Sequence, residues 1–321
     1  MTDIHYGRKR KGIVLEVKKK LAEWLDSIGN PEVKKAAEKD VIVTGGSIAS
    51  MLLGEKVNDF DLYFRTYSTT KMVAEYYVKK FNDANTLSTD GRATPYQPIV
   101  KEEKRTNIKG QEEERIILWM QSAGVASEDQ GEYSYFESLP PSEAAEFMES
   151  TMLNIKEAEE AEKSKSPYRP VFLSENAITL SHKVQLVTRF YGEPDKIHSN
   201  YDFVHATCYY DYKADRLELP AEALEALLSR TLVYRGSLYP VASIFRAKKF
   251  IERGWRITAG QLLKIMWQIS EIDLTNPAVL REQLTGVDMA YMWQLIQALQ
   301  DIEPEKINSV YVAELIDRIF D

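Results

Sequence analysis

Two aspartates one residue apart, Asp59 and Asp61, follow a Gly45-Gly46-Ser47 turn across a short apolar segment, Ile48 to Leu53. In an extended strand alternate side chains leave the same face, so the two carboxylates stand side by side while Phe60 between them points to the core. Like charges at that spacing repel unless a divalent cation bridges them, and hard carboxylate oxygens suit Mg²⁺ or Mn²⁺. Upstream, glycines at 45 and 46 allow the backbone close to a bulky anion. Ser47 can either cap the helix that follows or give its hydroxyl to a phosphate. Phosphate and cation would then meet between the turn and the carboxylates.

The elements that must position these groups are legible around them. Val41-Ile-Val-Thr44 reads as a buried strand, Ile48 to Leu53 as a short helix, and Phe60 to Arg65 as the strand carrying the acids. Ahead of them, Ile13 to Ile28 and Pro31 to Lys39 have helical spacing. Behind them, Ser68 is placed to cap a helix running to about Phe81, with Val73, Tyr76, Tyr77 and Phe81 inward.

Together Gly45-Gly46-Ser47, the apolar helix and Asn58-Asp59-Phe60-Asp61 resemble the nucleotidyltransferases of the DNA polymerase beta superfamily, and within it the tRNA nucleotidyltransferase and poly(A) polymerase-like branch. The resemblance implies an α+β fold, in which a nucleotidyltransferase head with a mixed β-sheet flanked by helices precedes an all-helical C-terminal domain. It further implies a third carboxylate on a neighbouring strand. Asp202, at the start of an extended run from Tyr201 to Tyr212, is the first choice. Asp211 at its end is the alternative. With Asp59 and Asp61, Asp202 would hold two cations roughly 3.5–4 Å apart. Gly45, Gly46 and Ser47 would grip the nucleotide's phosphates, and Lys183, Arg246 and Lys249 would offset the remaining negative charge. The implied reaction moves a nucleoside monophosphate from an NTP to a hydroxyl and releases pyrophosphate, with Mg²⁺ or Mn²⁺ as cofactor.

The acceptor stays open among RNA, including a tRNA 3′ end, protein and small molecules. Two other readings compete: a nucleotidyltransferase-fold binding module without activity, and a toxin-like enzyme that modifies protein or tRNA. The likeness is fullest over residues 41–65, thinner over 170–212 and thinnest over 240–257, where Arg246-Ala-Lys-Lys-Phe250 lies in a proline-led helix. The tRNA enzymes carry an arginine soon after the glycines. Here Ala49-Ser50 occupy that region, and no Asp-Arg motif for reading the incoming base is evident.

Composition bounds the rest. With 321 residues, 44% of them hydrophobic, the chain can bury a sizeable core. A catalytic domain over 1–219 and a helical domain over 220–321 are expected. The net charge is −8, and residues 101–165, with 16 acids against 8 bases, carry all of it. That segment reads as an acidic insertion, with a long polar helix opening at Pro140-Pro141-Ser142. The remainder is neutral, so a local basic face can still hold a polyanion. The N-terminus lacks the apolar stretch of a secretory signal and no run of about 18 apolar residues is present, which predicts a soluble cytoplasmic protein without a membrane span. A lone Cys208 and four scattered histidines exclude a disulfide framework and a zinc-ligand pattern. His205 is expected to be a satisfied, partly buried residue.

Beyond the insertion, Tyr168 to Leu180 holds two extended runs and Val184 to Phe190 a strand. Helical spacing then recurs over 221–232, 241–253, 259–272, 288–302 and 307–320.

Overall fold

A computed structural model describes residues 7–84, 97–106, 112–119, 168–174 and 176–274, together with Val279, Gln283 and Glu314. The helix expected from Pro140 and that expected over 288–302 lie outside the described residues, as does all of the one expected over 307–320 except Glu314. Residue contacts divide the chain into one unit of Met1–Ser199 with Ala206–Ala221, and a second of Asn200–His205 with Glu222–Asp321.

In the first unit, α1 (Arg10–Asp26) buries Ile13, Val17, Leu21, Trp24 and Leu25 at helical spacing. Asn30 caps α2 (Pro31–Asp40) by accepting from the Glu32 and Val33 amides, and Pro31 sits at the first turn, where its missing N–H costs nothing. Strand β1 (Val41–Thr44), helix α3 (Gly46–Leu53) and strand β2 (Phe60–Phe64) follow as the spacing requires. Gly54 ends α3 at φ 71°, a left-handed conformation that glycine adopts without strain. Helix α4 (Tyr67–Ala84) begins one residue before Ser68. Its cap is Thr66, whose hydroxyl accepts from the Thr69 amide at 3.3 Å and donates to the buried Asp40 at 2.5 Å. The expected cap was thus two residues late.

Strands β3 (Ile99–Thr106) and β4 (Glu112–Trp119) form a separate antiparallel pair. Strands β5 (Pro170–Ser174), β6 (Ala177–Leu180), β7 (Val184–Val187), β8 (Tyr209–Asp211) and β9 (Arg216–Glu218) complete a mixed seven-stranded sheet in the order β5-β6-β7-β2-β1-β8-β9. Only β2 and β7 pair in parallel within it. Helix α5 (Pro194–His198) lies between β7 and β8 in sequence.

Paired residues share a face, so the register sorts the sheet. Leu173, Ile178, Leu186, Leu62, Val43, Tyr210 and Leu217 form one row across all seven strands, and every one is at most 1% exposed. The adjoining row faces the other way and is polar from β6 to β9: Thr179, Gln185, Asp61, Thr44, Tyr209 and Glu218. A one-residue slip would exchange the two rows and bury the carboxylate, which is why the register is firmly specified.

In the second unit, α6 (Ala221–Ser229), α7 (Pro240–Glu252) and α8 (Ala259–Ser270) are joined by a short parallel pair of β10 (Thr231–Leu232) and β11 (Arg256–Ile257). Helix α6 stops earlier than its apolar spacing suggests because Arg230 takes φ 46° and the chain turns into β10.

Candidate active site

The carboxylate pair sits where β2 begins. Asp61 is on the strand opposite Thr44, the last residue of β1, and Asp59 immediately precedes the strand and is exposed. Asp61 is half-buried, and its carboxylate accepts no hydrogen bond among the described residues. Desolvation by the surrounding protein, reinforced by the charge of Asp59, pushes its carboxyl up to about 7. The carboxylates are therefore held together at an electrostatic cost that a cation would relieve.

The turn after Thr44 is built for close approach. Gly45 has φ 95° and ψ −152°, a conformation essentially confined to glycine, and its amide donates to the Ala206 carbonyl at 3.2 Å. A Cβ placed on Gly46 would meet nothing within 4 Å, so open space adjoins the first turn of α3. Ser47 does not cap α3, because the cap position belongs to Gly45. Its Oγ is buried, with the residue 2% exposed, and has no hydrogen-bond partner among the described residues. A buried hydroxyl without a partner is uncommon and suits a ligand atom.

Thr44 fixes the junction of strand and turn. Its hydroxyl donates to the Cys208 carbonyl at 3.0 Å, which uses its single proton, so the 2.8 Å contact to His198 requires the imidazole Nε2 to be the donor. His198 ends α5 and is buried, with its ring 5.6 Å from that of Tyr209. Neither His198 nor Thr44 stands out in the sequence, since only the fold brings them together.

The β6–β7 turn adjoins the start of β2. His182 and Lys183 are both left-handed, at φ 63° and 60°, and the Lys183 carbonyl accepts from the Phe60 amide at 2.8 Å, between the two aspartates. Lys183 is half-buried and forms no ion pair among the described residues.

Asp202 is placed otherwise than expected. The extended run 201–212 breaks into a 3-10 turn at Val204–Ala206, and strand pairing resumes only at β8. Asp202 thus lies outside the seven-stranded sheet and in the second unit, where its carbonyl accepts from the Arg235 amide at 2.8 Å and Phe203 bridges Tyr234. The cause is aromatic packing. The Phe203 ring lies 5.8 Å from Tyr234, and the His205 ring lies 4.5 Å from Phe250 and 4.6 Å from Trp255. The Asp202 carboxylate accepts from Arg246 Nε at 2.6 Å, so the residue expected as a metal ligand and one expected to hold phosphate are partners of each other. Lys249 lies on the same helix, α7, as Arg246. His205 is buried as expected but not satisfied: its Nδ1 has no hydrogen-bond partner among the described residues, and burial pushes its pKa down to about 4.

Asp211, the alternative third carboxylate, ends β8 opposite Ile42 and pairs with Arg65 at 2.6 Å. Among the described residues no group of three or more His, Cys, Asp or Glu side chains is placed to hold a metal ion. The donors on offer for a cation are Asp59 and Asp61, and their chemistry fits one: hard oxygens, mutual repulsion and no competing hydrogen bond on Asp61. No helix among the described residues is long and apolar enough to cross a membrane.

The profile of the family described as "Gad2: Gabija anti-defense 2 family protein" matches residues 15–230. A curated relative, "Gabija anti-defense 2" of Bacillus phage SPbetaL7, is 21% identical over 141 residues, covering 43% of this chain and 34% of its own length. The chain thus aligns with about a third of that relative. Among solved structures, the Thermotoga maritima CCA-adding enzyme complexed with tRNA is 14% identical at a TM-score of 0.36, over 92% of this chain and 54% of that one. The Bacillus stearothermophilus CCA-adding enzyme in complex with CTP is 11% identical at a TM-score of 0.32, over 87% and 51%.

Proposed function

The chain belongs to the Gabija anti-defense 2 family, and we propose that it serves an anti-defense role as a metal-dependent nucleotidyltransferase, moving a nucleoside monophosphate from an NTP to a hydroxyl acceptor. The observation that carries this reading is the meeting of two carboxylates with a glycine turn that has open space beside it. Asp61 lies opposite Thr44, and within three residues of Thr44 come Gly45 in a glycine-only conformation, open space at Gly46 and the orphaned Ser47 hydroxyl.

In the proposed reaction the acceptor oxygen bonds to the α-phosphorus, the bond from that phosphorus to the bridging oxygen breaks, and pyrophosphate leaves with the hydroxyl's proton released. Asp59 and Asp61 would hold Mg²⁺ or Mn²⁺, which when bound supplies charge neutralisation at the phosphates. Ser47 Oγ donates to a phosphate oxygen, and the free amides at the first turn of α3 add their partial positive charge. The Thr44–His198 contact keeps the end of β1 in place, so that the turn and Asp61 hold their spacing. Lys183, with no ion pair among the described residues, is available to the triphosphate. The Asp202–Arg246 pair is assigned a positioning role in the second unit.

The test is infection of cells that carry the Gabija defense. Expression of the wild-type protein is expected to restore plaque formation, and the Asp59→Ala/Asp61→Ala double variant, expressed to the same level, is expected not to. A double variant that restores plaques as well as wild type would refute the catalytic reading while leaving the family role intact.

A further inference from the structure

Gln185 is the register partner of Asp61 on β7. Neighbouring strands lie about 4.8 Å apart and paired residues share a face, so the Gln185 side chain leaves the sheet beside the Asp61 carboxylate. The hydrogen bond from the Phe60 amide to the Lys183 carbonyl fixes this alignment at the start of both strands. On the other side of Gln185 in the same row stands Thr179, and on the other side of Asp61 stands Thr44. Asp61 is therefore flanked along the row by an amide and a hydroxyl, and Asp59, two residues before it, supplies a second negative charge.

Gln185 is half-buried, and its amide makes no hydrogen bond among the described residues. The Asp61 carboxylate beside it accepts none either. A glutamine could have donated its N–H to that carboxylate. Two adjacent polar groups that leave each other unpartnered are arranged for a third. The Ser47 hydroxyl, on the turn that follows Thr44, is fully buried and also has no hydrogen-bond partner among the described residues, an uncommon condition for a polar group.

We propose that the Gln185 amide forms the third wall of the cation site, presenting its oxygen beside the two carboxylates, and that its neutrality holds the protein's own charge there at −2. This inference rests on the nucleotidyl-transfer reading of the same site. One divalent cation balances a charge of −2, so the protein's own groups retain a single cation, and any second one arrives with the triphosphate. A glutamate at 185 would add a carboxylate at the same place and tighten cation binding before any nucleotide is present.

The experiment measures Mn²⁺ binding alone, without nucleotide, from the electron paramagnetic resonance signal of the free ion. It compares the full chain with its Gln185→Glu, Gln185→Leu and Asp61→Asn variants. Gln185→Glu is expected to bind Mn²⁺ at least about tenfold more tightly, since a whole charge is added near the ion. Gln185→Leu is expected to bind a few-fold more weakly, and Asp61→Asn to lose binding at least about tenfold. If Asp61→Asn loses binding while Gln185→Glu binds no tighter than wild type, the role of Gln185 is overturned and the site reading stands. If the wild type binds no Mn²⁺, or Asp61→Asn binds it unchanged, the site reading itself fails and takes the role of Gln185 with it.

Discussion

Replacing Asp61 by asparagine should stabilise the metal-free protein while destroying its cation response. The folded carboxyl titrates near 7, against an ordinary value of 3.8, because it is desolvated and faces Asp59. Between those two values the folded chain binds the proton that the unfolded chain has lost, so stability falls as pH rises from about 4 to 7 and stays low above that. A displacement of about three pH units corresponds to about 4 kcal/mol at pH 8, an upper limit that solvent near the half-buried side chain roughly halves. Asparagine keeps the volume and removes the charge. In urea unfolding with EDTA, the Asp61→Asn variant should therefore be more stable than wild type by roughly 2–4 kcal/mol at pH 8 and by about 1 kcal/mol at pH 5. Adding Mg²⁺ at pH 8 should raise the wild-type midpoint and leave the variant's unchanged. A variant no more stable than wild type at pH 8 in EDTA would refute the claim that the pair is held together at a cost.

The turn and the second unit give further expectations. Ser47→Ala removes a buried hydroxyl that has no partner among the described residues, so thermal stability should hold or rise, while NTP affinity measured by calorimetry should fall by about tenfold for the lost hydrogen bond to charge. Gly46→Ala should fold normally, its Cβ entering open space, yet weaken NTP binding, whereas Gly45→Ala should lose about 1–3 kcal/mol in urea unfolding because of its backbone conformation. His205, buried and neutral with a pKa near 4, adds stability that is complete above 6.5 and lost as pH falls through 4. His205→Phe should flatten the urea midpoint over that range by up to about 3 kcal/mol. Arg246→Ala should cost about 1–3 kcal/mol by leaving the Asp202 carboxylate, whose side chain is 13% exposed, without its cation, and the double variant with Asp202→Asn should recover part of the loss.

The half of the site that could be read from the sequence is the half built from local spacing. Thr44 to Asp61 is a single strand-turn-helix-strand unit, so apolar periodicity, two glycines and two acids suffice to place each group. Asp202 could not be placed that way. Residues 201–212 are rich in β-forming side chains, but Phe203 packs on Tyr234 and His205 on Phe250 and Trp255, residues 31 to 50 positions away, and that packing bends the run at Val204. Gln185 does not stand out in the sequence, because an uncharged side chain in a strand carries no signal by itself. Its meaning comes from the register of β7 against β2, which pairs residues 124 positions apart. Thr66 displaced Ser68 as the cap of α4 for a similar reason, since the deciding contact is with Asp40 on another helix.

The central claim is tested most directly by incubating the purified protein with each α-labelled NTP, Mg²⁺ or Mn²⁺ and total cellular RNA, then resolving RNA, protein and small molecules separately. Label transferred by the wild type to one of these fractions, and absent with Asp59→Ala or Asp61→Ala, is the predicted result and identifies the nucleotide and the acceptor class. No transfer of any label by folded protein that binds Mn²⁺, or transfer that survives loss of both aspartates, would contradict it.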